Sequence, residues 1–548
     1  MEIDLYQLSP HLAGTANFTM ISVMFVAFII ALASNTRQVG ADLTILGIPT
    51  VGVRKEWFAW SRATFRSIMG TRASTSRGYS KYSVFNLPFV LPNLHRGPTI
   101  IIPPKHVRAV YSLPETQLDV WNTLNNLIQP RYTIQDYHIL GRELHLDVLR
   151  NQITRNLGIL TKGLAAELDR GLKTWWGTDS QWKNIRAFDS CLKIVGAAAN
   201  SVIFGPSLCR NHRFIYLLSV HAIILFIGGT LINVSPRLLK PIVGFPVKVA
   251  SRYYYNQILK LCLPLVQDRL NKTVAWRDGL ADEWSPPSDG LQWMIEEAFT
   301  KTDPTELDVK RLSERLIFLN DVSMHTSAFT LQSLLQRLAA SDPRDEYIET
   351  LRNESRTVLS KFNGEWTREG VQNLVLLDST IRESIRLSPF VIFGLPRTIV
   401  DPNGVLVKAH GSEYTLPFGG SIALPIEDTH YDEQVYPNAK TFQPFRFVHL
   451  DDGVTPLKSM GTLRLTKTAV TLDEHFYGFG YGKHGCPGRF FVVHEIKLIM
   501  ANILLNYDIK HIQSPTEPFN IMWLKLPIND PILQIRRRVS GTESREGI

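Results

Sequence analysis

One cysteine near the end of the chain stands in a setting that suits chemistry. The run FGYGKHGCPGRFF, from Phe479 to Phe491, surrounds Cys486 with glycines and a proline and ends in bulky apolar residues. Glycine has no Cβ atom, so such a loop can turn tightly and bring its backbone close to a flat ligand. Most cysteines are small buried hydrophobes, whereas this one is presented by its loop. The alternative is an inert cysteine in a glycine-rich turn.

The residues beside this cysteine favour a thiolate. Pro487 and Gly488 lead straight into a helical pattern, so the sulfur should lie near a helix N-terminus. Positive partial charge there stabilises thiolate over thiol, and thiolate is the form that binds iron. Phe479 can pack beside the ligand and keep water from the sulfur, and backbone N–H groups of the loop can tune it.

Two further motifs precede the cysteine loop. Glu383 and Arg386, in ESIR, share one face of a predicted helix because they are three residues apart. Taken alone, such a pair is usually a solvated salt bridge that contributes little. Arg446 follows in FQPFRF, between the pair and the cysteine. Three motifs in this order are far more specific than any one of them.

A third helical segment, residues 315–335, reads RLIFLNDVSMHTSAFTLQSLL and contains His325 and Thr326. Imidazole titrates near neutrality, so His325 could relay protons. His325 could equally make a hydrogen bond inside a packed helix, and both interpretations stay open.

The secondary-structure pattern is mostly helical. Apolar residues recur at helical spacing in six segments, which are residues 143–173, 182–198, 309–338, 344–362, 371–389 and 489–509. Residues 398–424 alternate apolar runs with Pro, Gly and Asn turns and predict short strands and hairpins. The sequence therefore predicts a mainly α fold with a minor β region in the second half of the chain.

Composition narrows the class of protein. The 548 residues carry a net charge of +9, spread along the chain apart from the RRR run at 536–538. A nucleic-acid binder would more often concentrate its basic residues in a stripe, whereas spread positive charge suits an anionic membrane or an acidic partner. The four cysteines show no paired spacing, which argues against a disulfide framework or a zinc site. No long linker divides the chain, so one large domain is expected.

Two apolar segments bear on membrane attachment. Residues 18–36 predict an uncleaved transmembrane anchor, because the stretch is uncharged, no Lys or Arg precedes it and several follow it. Residues 1–17 would then be lumenal and the remainder cytosolic. Residues 214–232 are nearly as apolar, and the preferred interpretation is a buried or membrane-facing part of the globular domain rather than a second span. Residues 539–548 are predicted to be disordered.

Together the motifs resemble those of the cytochrome P-450 family. The run from Phe479 resembles the haem-binding loop of these enzymes, with Phe479, Gly482, Cys486 and Gly488 at the family spacing. The resemblance implies that Cys486 is the axial thiolate of haem b iron, a ligand that favours O–O cleavage. It covers about residues 40 to 535 and implies a haem-thiolate monooxygenase domain over 37–538, with the mainly α P-450 fold.

The same resemblance assigns roles to the other motif residues. Glu383, Arg386 and Arg446 would form a buried structural network that locks the segment before the cysteine loop. Thr326 would hold a water that delivers protons to dioxygen, and His325 occupies the position where the family commonly has an acid.

Haem propionates need cationic partners. By resemblance these are Arg397 and His484. The family's Trp-x-x-x-Arg motif is not recognisable here, but HLDVLR lies roughly at its position, so His145 is expected to substitute.

The resemblance is strongest to fungal microsomal enzymes of secondary metabolism. It implies a membrane-anchored monooxygenase that uses O₂ and electrons from an NADPH–cytochrome reductase. The segments expected to line the substrate pocket, 317–326 and 389–395, are almost wholly apolar, so a lipophilic small molecule such as a terpenoid or indole-diterpene is expected. The expected location is the endoplasmic reticulum membrane, with a single span and a cytosolic catalytic domain.

Two other functions are compatible with the same cofactor. One is a haem-thiolate isomerase or dehydratase that does not use O₂, against which Thr326 argues. The other is a non-enzymatic membrane haem sensor, which would need neither the threonine nor a basic surface for a reductase. No nucleic-acid partner is expected.

Overall fold

The computed structural model describes residues 47–141, 144–281, 283–409, 412–449 and 463–539. The predicted anchor at 18–36, the lumenal segment at 1–17 and nearly all of the predicted tail at 539–548 lie outside these ranges.

Helices make up most of the described chain. They are α1 (Ala59–Lys81), α2 (Val107–Tyr111), α3 (Trp121–Ile128), α4 (Pro130–Thr133), α5 (Leu144–Asp147), α6 (Leu157–Trp175), α7 (Ala187–Ile203), α8 (Pro206–Cys209), α9 (His212–Ile223), α10 (Gly229–Val234), α11 (Lys240–Arg277), α12 (Gly290–Phe299), α13 (Val309–Ala339), α14 (Tyr347–Lys361), α15 (Arg368–Gln372), α16 (Val375–Leu387), α17 (Ile426–His430) and α18 (Arg489–Asn506). Two π-helical segments, Val148–Ile153 and Ile224–Gly228, follow α5 and α9 directly.

Helix α13 is the centre of the core. Its N-terminus is capped by the Asp308 side chain, which accepts a hydrogen bond from the backbone N–H of Arg311 at 2.9 Å. Helices α7, α9, α11 and α16 pack around it, and α18 packs against α6 and α14. Residues on most sides of α13, such as Leu312, Leu316 and Leu335, are buried, as expected for a helix inside a large core.

The strands form small sheets at the edge of the helical core. They are β1 (Phe89–Leu91), β2 (Thr99–Ile101), β3 (Leu118–Asp119), β4 (Lys183–Arg186), β5 (Gly394–Ile399), β6 (Val405–Ala409), β7 (Ser412–Leu416), β8 (Ser421–Leu424), β9 (Val448–His449), β10 (Arg464–Leu465), β11 (Tyr507–Ile509), β12 (Phe519–Ile521), β13 (Leu524–Leu526) and β14 (Ile532–Arg537). The largest sheet has the order β1-β2-β8-β5-β3, with β2 and β8 parallel and the other pairs antiparallel. A second sheet has the order β11-β14-β4.

Two parts of the secondary-structure prediction were wrong. Residues 183–186, predicted as the start of a helix, form β4, because they pair with β14 more than 300 residues later. The β region also draws on the first half of the chain, since β1, β2 and β3 belong to the largest sheet. Strands of two or three wholly buried residues, such as β1, are too short to show an alternating pattern.

The sequence patterns also did not single out α1 or α11. The buried face of α1 consists of small or polar residues at four-residue spacing, among them Ala63, Ser67 and Thr71, so its apolar period is weak. Helix α11 runs for 38 residues with Pro246 and Pro264 inside it, and proline normally argues against a continuous helix.

The apolar segment at 214–232 folds as α9, the π-helical segment after it and α10. Within the described residues, His212–Val234 is long and apolar enough to cross a membrane, but more than half of its most apolar stretch is buried inside the protein. Phe214, Leu218 and Ile232 belong to this buried set. The segment is therefore packed largely within the globular domain.

Glycines allow α10 and α11 to pack unusually close to α3 and α4. A Cβ atom at Gly229 would lie 2.7 Å from the carbonyl oxygen of Leu127, at the end of α3. A Cβ atom at Gly244 would lie 2.5 Å from the ring of Tyr132 in α4. Any side chain at either position would force α10 or α11 away from the segment that α3 and α4 form.

A buried carboxylate ties α16 to the chain that leads to the cysteine. Glu383 accepts hydrogen bonds from Arg386 at 2.7 and 2.8 Å and from Arg446 at 3.1 Å. The side chains of Glu383 and Arg386 are fully buried. Arg386 also donates to the carbonyl oxygen of Ala439, and Arg446 donates to that of Pro437. The network therefore holds residues 437–446 against α16.

Replacing this carboxylate should destabilise the whole domain. Glu383→Gln leaves two buried guanidinium groups without their counter-ion, and breaking a buried pair in this way costs about 3–5 kcal/mol. The matched control is Asp169→Asn, which removes an exposed pair with Lys173 and should change stability by less than about 0.5 kcal/mol. Thermal unfolding of both variants measures the difference. Equal melting temperatures for the two variants would contradict a stabilising role for Glu383.

Candidate active site

The loop that carries Cys486 is held by its own backbone. The N–H of Cys486 donates to the carbonyl oxygen of Phe479 at 2.7 Å, and the N–H of Gly485 donates to that of Gly482 at 3.1 Å. Gly480 has a φ of 85°, in the left-handed region that favours glycine, and a Cβ atom at Gly485 would lie 2.3 Å from Leu472 Cδ1. The glycines are therefore required for the shape of the loop.

The sulfur of Cys486 lies beside the start of α18, 4.0 Å from the position that a Cβ atom at Gly488 would take. The Cys486 side chain is exposed, although protein surrounds the residue closely enough for burial to raise the pKa of its thiol. The backbone N–H groups of Gly488 and Arg489 and the charge of Arg489 act in the opposite direction and favour the thiolate. The other three cysteines, all within the described ranges, are buried and unpaired. Cys486 is thus the accessible thiol.

Helix α13 presents an uncovered stripe of its own. Val322 is 37% exposed and Thr326, one turn later, is also exposed, whereas Met324 and Ala328 between and after them are buried. The Thr326 hydroxyl donates to the carbonyl oxygen of Ser323 at 3.0 Å. An accessible thiol and an uncovered helix face inside one core are what a cavity between them would produce.

The structure gives the two predicted catalytic residues different surroundings. The Nε2 of His325 lies 2.9 Å from the carbonyl oxygen of Ser219 in α9, and its ring stacks on Phe188 at 6.2 Å. Burial lowers the pKa of His325, so its neutral form donates this hydrogen bond. Thr326 remains on the uncovered stripe. A proton relay through His325 stays a prediction.

Cations gather beside the cysteine loop. The guanidinium of Arg397 lies 5.1 Å from the centre of the Tyr111 ring and donates to the carbonyl oxygen of Pro396. His484 Nε2 lies 3.2 Å from the carboxylate of Glu115, and burial and the charge of Arg397 lower the pKa of His484. A ligand with anionic groups would offset this concentration of positive charge.

Sequence reasoning missed Arg150 as a member of this group. Arg150 is close enough for its charge to lower the pKa of both His484 and Arg489. It belongs to the π-helical segment Val148–Ile153, whose Leu149 Cδ2 would lie 3.6 Å from a Cβ atom at Gly488. The sequence feature that could have revealed Arg150 is its place at the end of the run HLDVLR.

His145, predicted to assist Arg397 and His484, makes other contacts. Its Nδ1 lies 3.2 Å from Arg315 of α13, and the edge of its ring packs on Phe318. Burial and the charge of Arg315 lower the pKa of His145 to about 3, so the imidazole is neutral. These contacts anchor α5 to α13. The structure thus shows His145 packed against Arg315 and Phe318.

A second missed residue is His430, which links the Glu383 network to the cysteine loop. Its Nδ1 lies 3.0 Å from the carbonyl oxygen of Arg386, and its Nε2 accepts the backbone N–H of Tyr477 at 2.9 Å. Burial and Arg386 lower the pKa of His430 to about 3, which leaves the neutral ring able to donate on one side and accept on the other. Tyr477 stands two residues before Phe479, which packs on the main core.

The site as a whole suits a flat cofactor that carries a metal and anionic groups. It combines an accessible sulfur in a glycine-rich loop, an uncovered face of α13 and cations beside the cysteine loop. Among the described residues, no group of three or more His, Cys, Asp or Glu could hold a metal ion directly. The class of protein that this arrangement defines is one that binds iron within a macrocycle through a single thiolate.

Comparison with known proteins agrees with this class. The family model described as Cytochrome P450 matches residues 148–534. Cytochrome P450 monooxygenase okaG of Penicillium ochrochloron is 40% identical over 505 residues, which cover 89% of this chain and 94% of that protein. Cytochrome P450 monooxygenase gloP of Glarea lozoyensis is 31% identical over 497 residues, covering 89% and 90%. Cytochrome P450 monooxygenase htyF of Aspergillus rugulosus is 33% identical over 491 residues, covering 88% and 71%.

The chain belongs to the cytochrome P450 family. It is a haem-thiolate enzyme, an oxidoreductase that incorporates oxygen from O₂, and such enzymes generally use a reductase and a small-molecule substrate. The described residues fit the cofactor, because Cys486 can hold the iron and Arg150, Arg397 and His484 can hold the propionates. When bound, the haem activates dioxygen and the thiolate favours O–O cleavage.

Removing one propionate partner should weaken haem binding. Arg150→Gln removes a charge-assisted contact worth about 1.5–3 kcal/mol, so haem should transfer to apomyoglobin about tenfold faster or more. Arg155→Gln, which alters an exposed arginine of the next turn, is the control and should leave the transfer rate unchanged. Equal rates for Arg150→Gln and the wild type would exclude Arg150 from the haem site.

Proposed function

We propose that this protein is a membrane-anchored monooxygenase of fungal secondary metabolism that oxidises a lipophilic small molecule, such as a terpenoid or indole-diterpene. Electrons would come from an NADPH-dependent reductase. The observation that carries the proposal is the accessible Cys486 thiol, taken together with the uncovered, threonine-bearing face of α13.

The residues around the cavity support a lipophilic substrate. Phe318 and Val322 lie one turn apart on α13, before Thr326. On the loop after α16, Phe390 packs on Phe329 with ring centres 5.0 Å apart. Leu395 Cδ2 would lie 3.6 Å from a Cβ atom at Gly480, which places that side chain beside the cysteine loop. An apolar cavity with few polar groups favours an apolar ligand.

The alternatives are less well supported. An isomerase or dehydratase that does not use O₂ would have no need of an uncovered hydroxyl on α13, where Thr326 lies. A non-enzymatic haem sensor is not favoured either, because the relatives above are named as monooxygenases.

Two exposed apolar patches support a membrane location. One lies at the start of α1, where Trp57 is 85% exposed and Phe58, Phe65 and Met69 are also exposed. The other lies at the start of α11, where Leu238 is 90% exposed and Ile242, Phe245 and Val249 follow it. Both patches adjoin one buried cluster, which contains Val51 and Val234.

Cations accompany the second patch. Arg237, Lys240 and Lys248 stand among its apolar residues, an arrangement suited to anionic lipid headgroups. Together with the predicted anchor at 18–36, these patches favour attachment to the endoplasmic reticulum membrane with the catalytic domain in the cytosol.

Support for the reductase is more general. The net charge of +9 favours an acidic electron donor. Lys483, beside the cysteine loop, already lies 3.2 Å from Glu115, so its charge is partly offset within the chain.

Spectroscopy of the reduced CO complex tests the haem assignment. The wild-type protein should give the strongly red-shifted Soret band of thiolate-ligated haem, and Cys486→Ala should not, because no thiolate remains to bind iron. Cys262→Ala, which alters a buried cysteine, is the matched control and should keep the band. Incubation with a reductase, NADPH and ¹⁸O₂ then shows which terpenoid candidates gain labelled oxygen.

The membrane proposal predicts that the α11 patch enters the lipid. A polarity-sensitive fluorophore on Phe245→Cys, in the full chain within nanodiscs, should emit at shorter wavelength than the same fluorophore on Ile159→Cys. Ile159 is the control because it is as exposed as Phe245 but lies on α6. The same emission from both positions would argue against burial of the patch in the bilayer.

A further inference from the structure

Two polar contacts, one helical turn apart, fasten α9 to the central helix. His325 of α13 donates from Nε2 to the carbonyl oxygen of Ser219 at 2.9 Å. Four residues earlier, the carboxylate oxygens of Asp321 lie 2.9 and 3.0 Å from Nδ1 of His221. Because Asp321 and His325 share one face of α13, both contacts hold α9 against that same face.

The ion pair lies where several elements meet. His221 is 4% exposed and Asp321 is 2% exposed. Nε2 of His221 lies 3.3 Å from the hydroxyl of Ser251 in α11, which donates to the carbonyl oxygen of Thr133 in α4. Glu314 lies on α13 one turn before Ile317 and Phe318. Its carboxylate accepts hydrogen bonds from the backbone N–H groups of residues 135 and 136 at 2.6 and 2.9 Å.

The fastened helix continues directly into the wall of the cavity. The π-helical segment Ile224–Gly228 follows α9, and its Phe226 packs in one cluster with Phe318 of α13 and Leu140. Phe318 stands one turn before Val322, the first residue of the uncovered stripe. A change in the position of α9 would therefore be passed to Phe226 and to the cluster that it shares with Phe318.

We propose that Asp321 and His325 of α13, with His221 and Ser219 of α9, form a clamp that controls the entry of small molecules to the cavity above the haem. In this proposal the two α13 residues and His221 are positioning residues. They act through α9 and its apolar continuation. The proposal rests on the haem site and is independent of which substrate the enzyme oxidises.

The clamp also explains the histidine at the position where the family commonly has an acid. The Nε2–H of His325 is committed to the carbonyl oxygen of Ser219, so this nitrogen holds α9. Thr326 is the neighbour that keeps its side chain on the uncovered stripe. The two adjacent residues thus divide two tasks, with His325 holding the wall and Thr326 facing the cavity.

Charge makes the clamp sensitive to pH. The titratable groups that face His221 are Asp321 and Glu314 from α13 and Tyr255 from α11, with His325 beyond Asp321. Burial disfavours the imidazolium, but Asp321 outweighs burial and raises the pKa of His221 above its ordinary value. Burial also raises the pKa of Asp321.

The sign of the pH effect follows from the raised pKa of His221. A group whose pKa is higher in the closed state contributes fully below its ordinary value of 6.5 and loses that contribution as the pH rises through the raised value. The clamp should therefore loosen as the pH rises above 6.5 and through the raised pKa of His221.

Ligand entry to the haem iron tests the clamp in the full-length, haem-loaded protein. The probes are benzyl isocyanide, which needs space, and CO, which does not, and neither titrates in this range. Asp321→Asn should bind benzyl isocyanide about tenfold faster, equivalent to ~1.4 kcal/mol of lost closure, and leave CO binding unchanged. The wild-type rate should rise between pH 6.5 and 8.5, and the variant rate should not.

Hydrogen exchange supplies a readout that is independent of the haem. Amides of α9 and of residues 224–228 should exchange faster in Asp321→Asn, while those of α7 keep their wild-type protection. The matched control is Asn320→Ala, which breaks a buried 2.9 Å contact of the neighbouring α13 residue with Asn200 of α7. It should leave both isocyanide entry and α9 exchange unchanged.

A second pair of variants covers the case in which Asp321→Asn does not fold. His325→Leu removes the donor to Ser219 and should accelerate isocyanide entry, whereas His325→Gln keeps an N–H donor and should restore the slower rate. The proposal is overturned if either loosening variant binds benzyl isocyanide at the wild-type rate. It is equally overturned if Asn320→Ala gives the same acceleration, because the effect would then be general loosening of α13.

Discussion

The rest of the structure depends on one buried carboxylate, that of Glu383. Two guanidinium groups, from Arg386 and Arg446, neutralise it, and the remaining N–H groups of those arginines bind carbonyl oxygens of the chain that precedes the cysteine. Since a buried charge without partners is very costly, these contacts must form together or not at all. His430 then carries the same constraint to Tyr477, so the loop that presents Cys486 inherits its position from a charge network on another helix.

The two surfaces that we propose enclose the haem, the cysteine wall and the α13 wall, differ in chemistry. The cysteine wall is built from backbone N–H groups and glycines, and it supplies one accessible sulfur. The α13 wall is apolar apart from Thr326. Cations lie beside the cysteine loop, where Arg397 and His484 would hold the anionic groups of the macrocycle. Orientation of the cofactor thus follows from where charge is placed on the protein.

Features with a local cause were predictable from the sequence, and features with a distant cause were not. The bounds of α13 and the glycines of the cysteine loop follow from spacing within a few residues. By contrast, β4 exists because it pairs with β14, and the partner of His325 is a carbonyl oxygen 106 residues earlier in the chain. His145 shows the same limit, since its burial against Arg315 decides its contacts and motif position alone could not reveal them.

The close contacts of Gly229 and Gly244 bear on how α10 and α11 could move. At Gly229 the backbone of α10 rests on the backbone at the end of α3, and at Gly244 the backbone of α11 rests on the ring of Tyr132 in α4. These close approaches tie α10 and α11 to the same neighbouring segment, so we expect the two helices to move together. A substitution that adds a methyl group at either glycine would displace the helix that carries it. We expect such a displacement to change the binding of large substrates more than that of small ones.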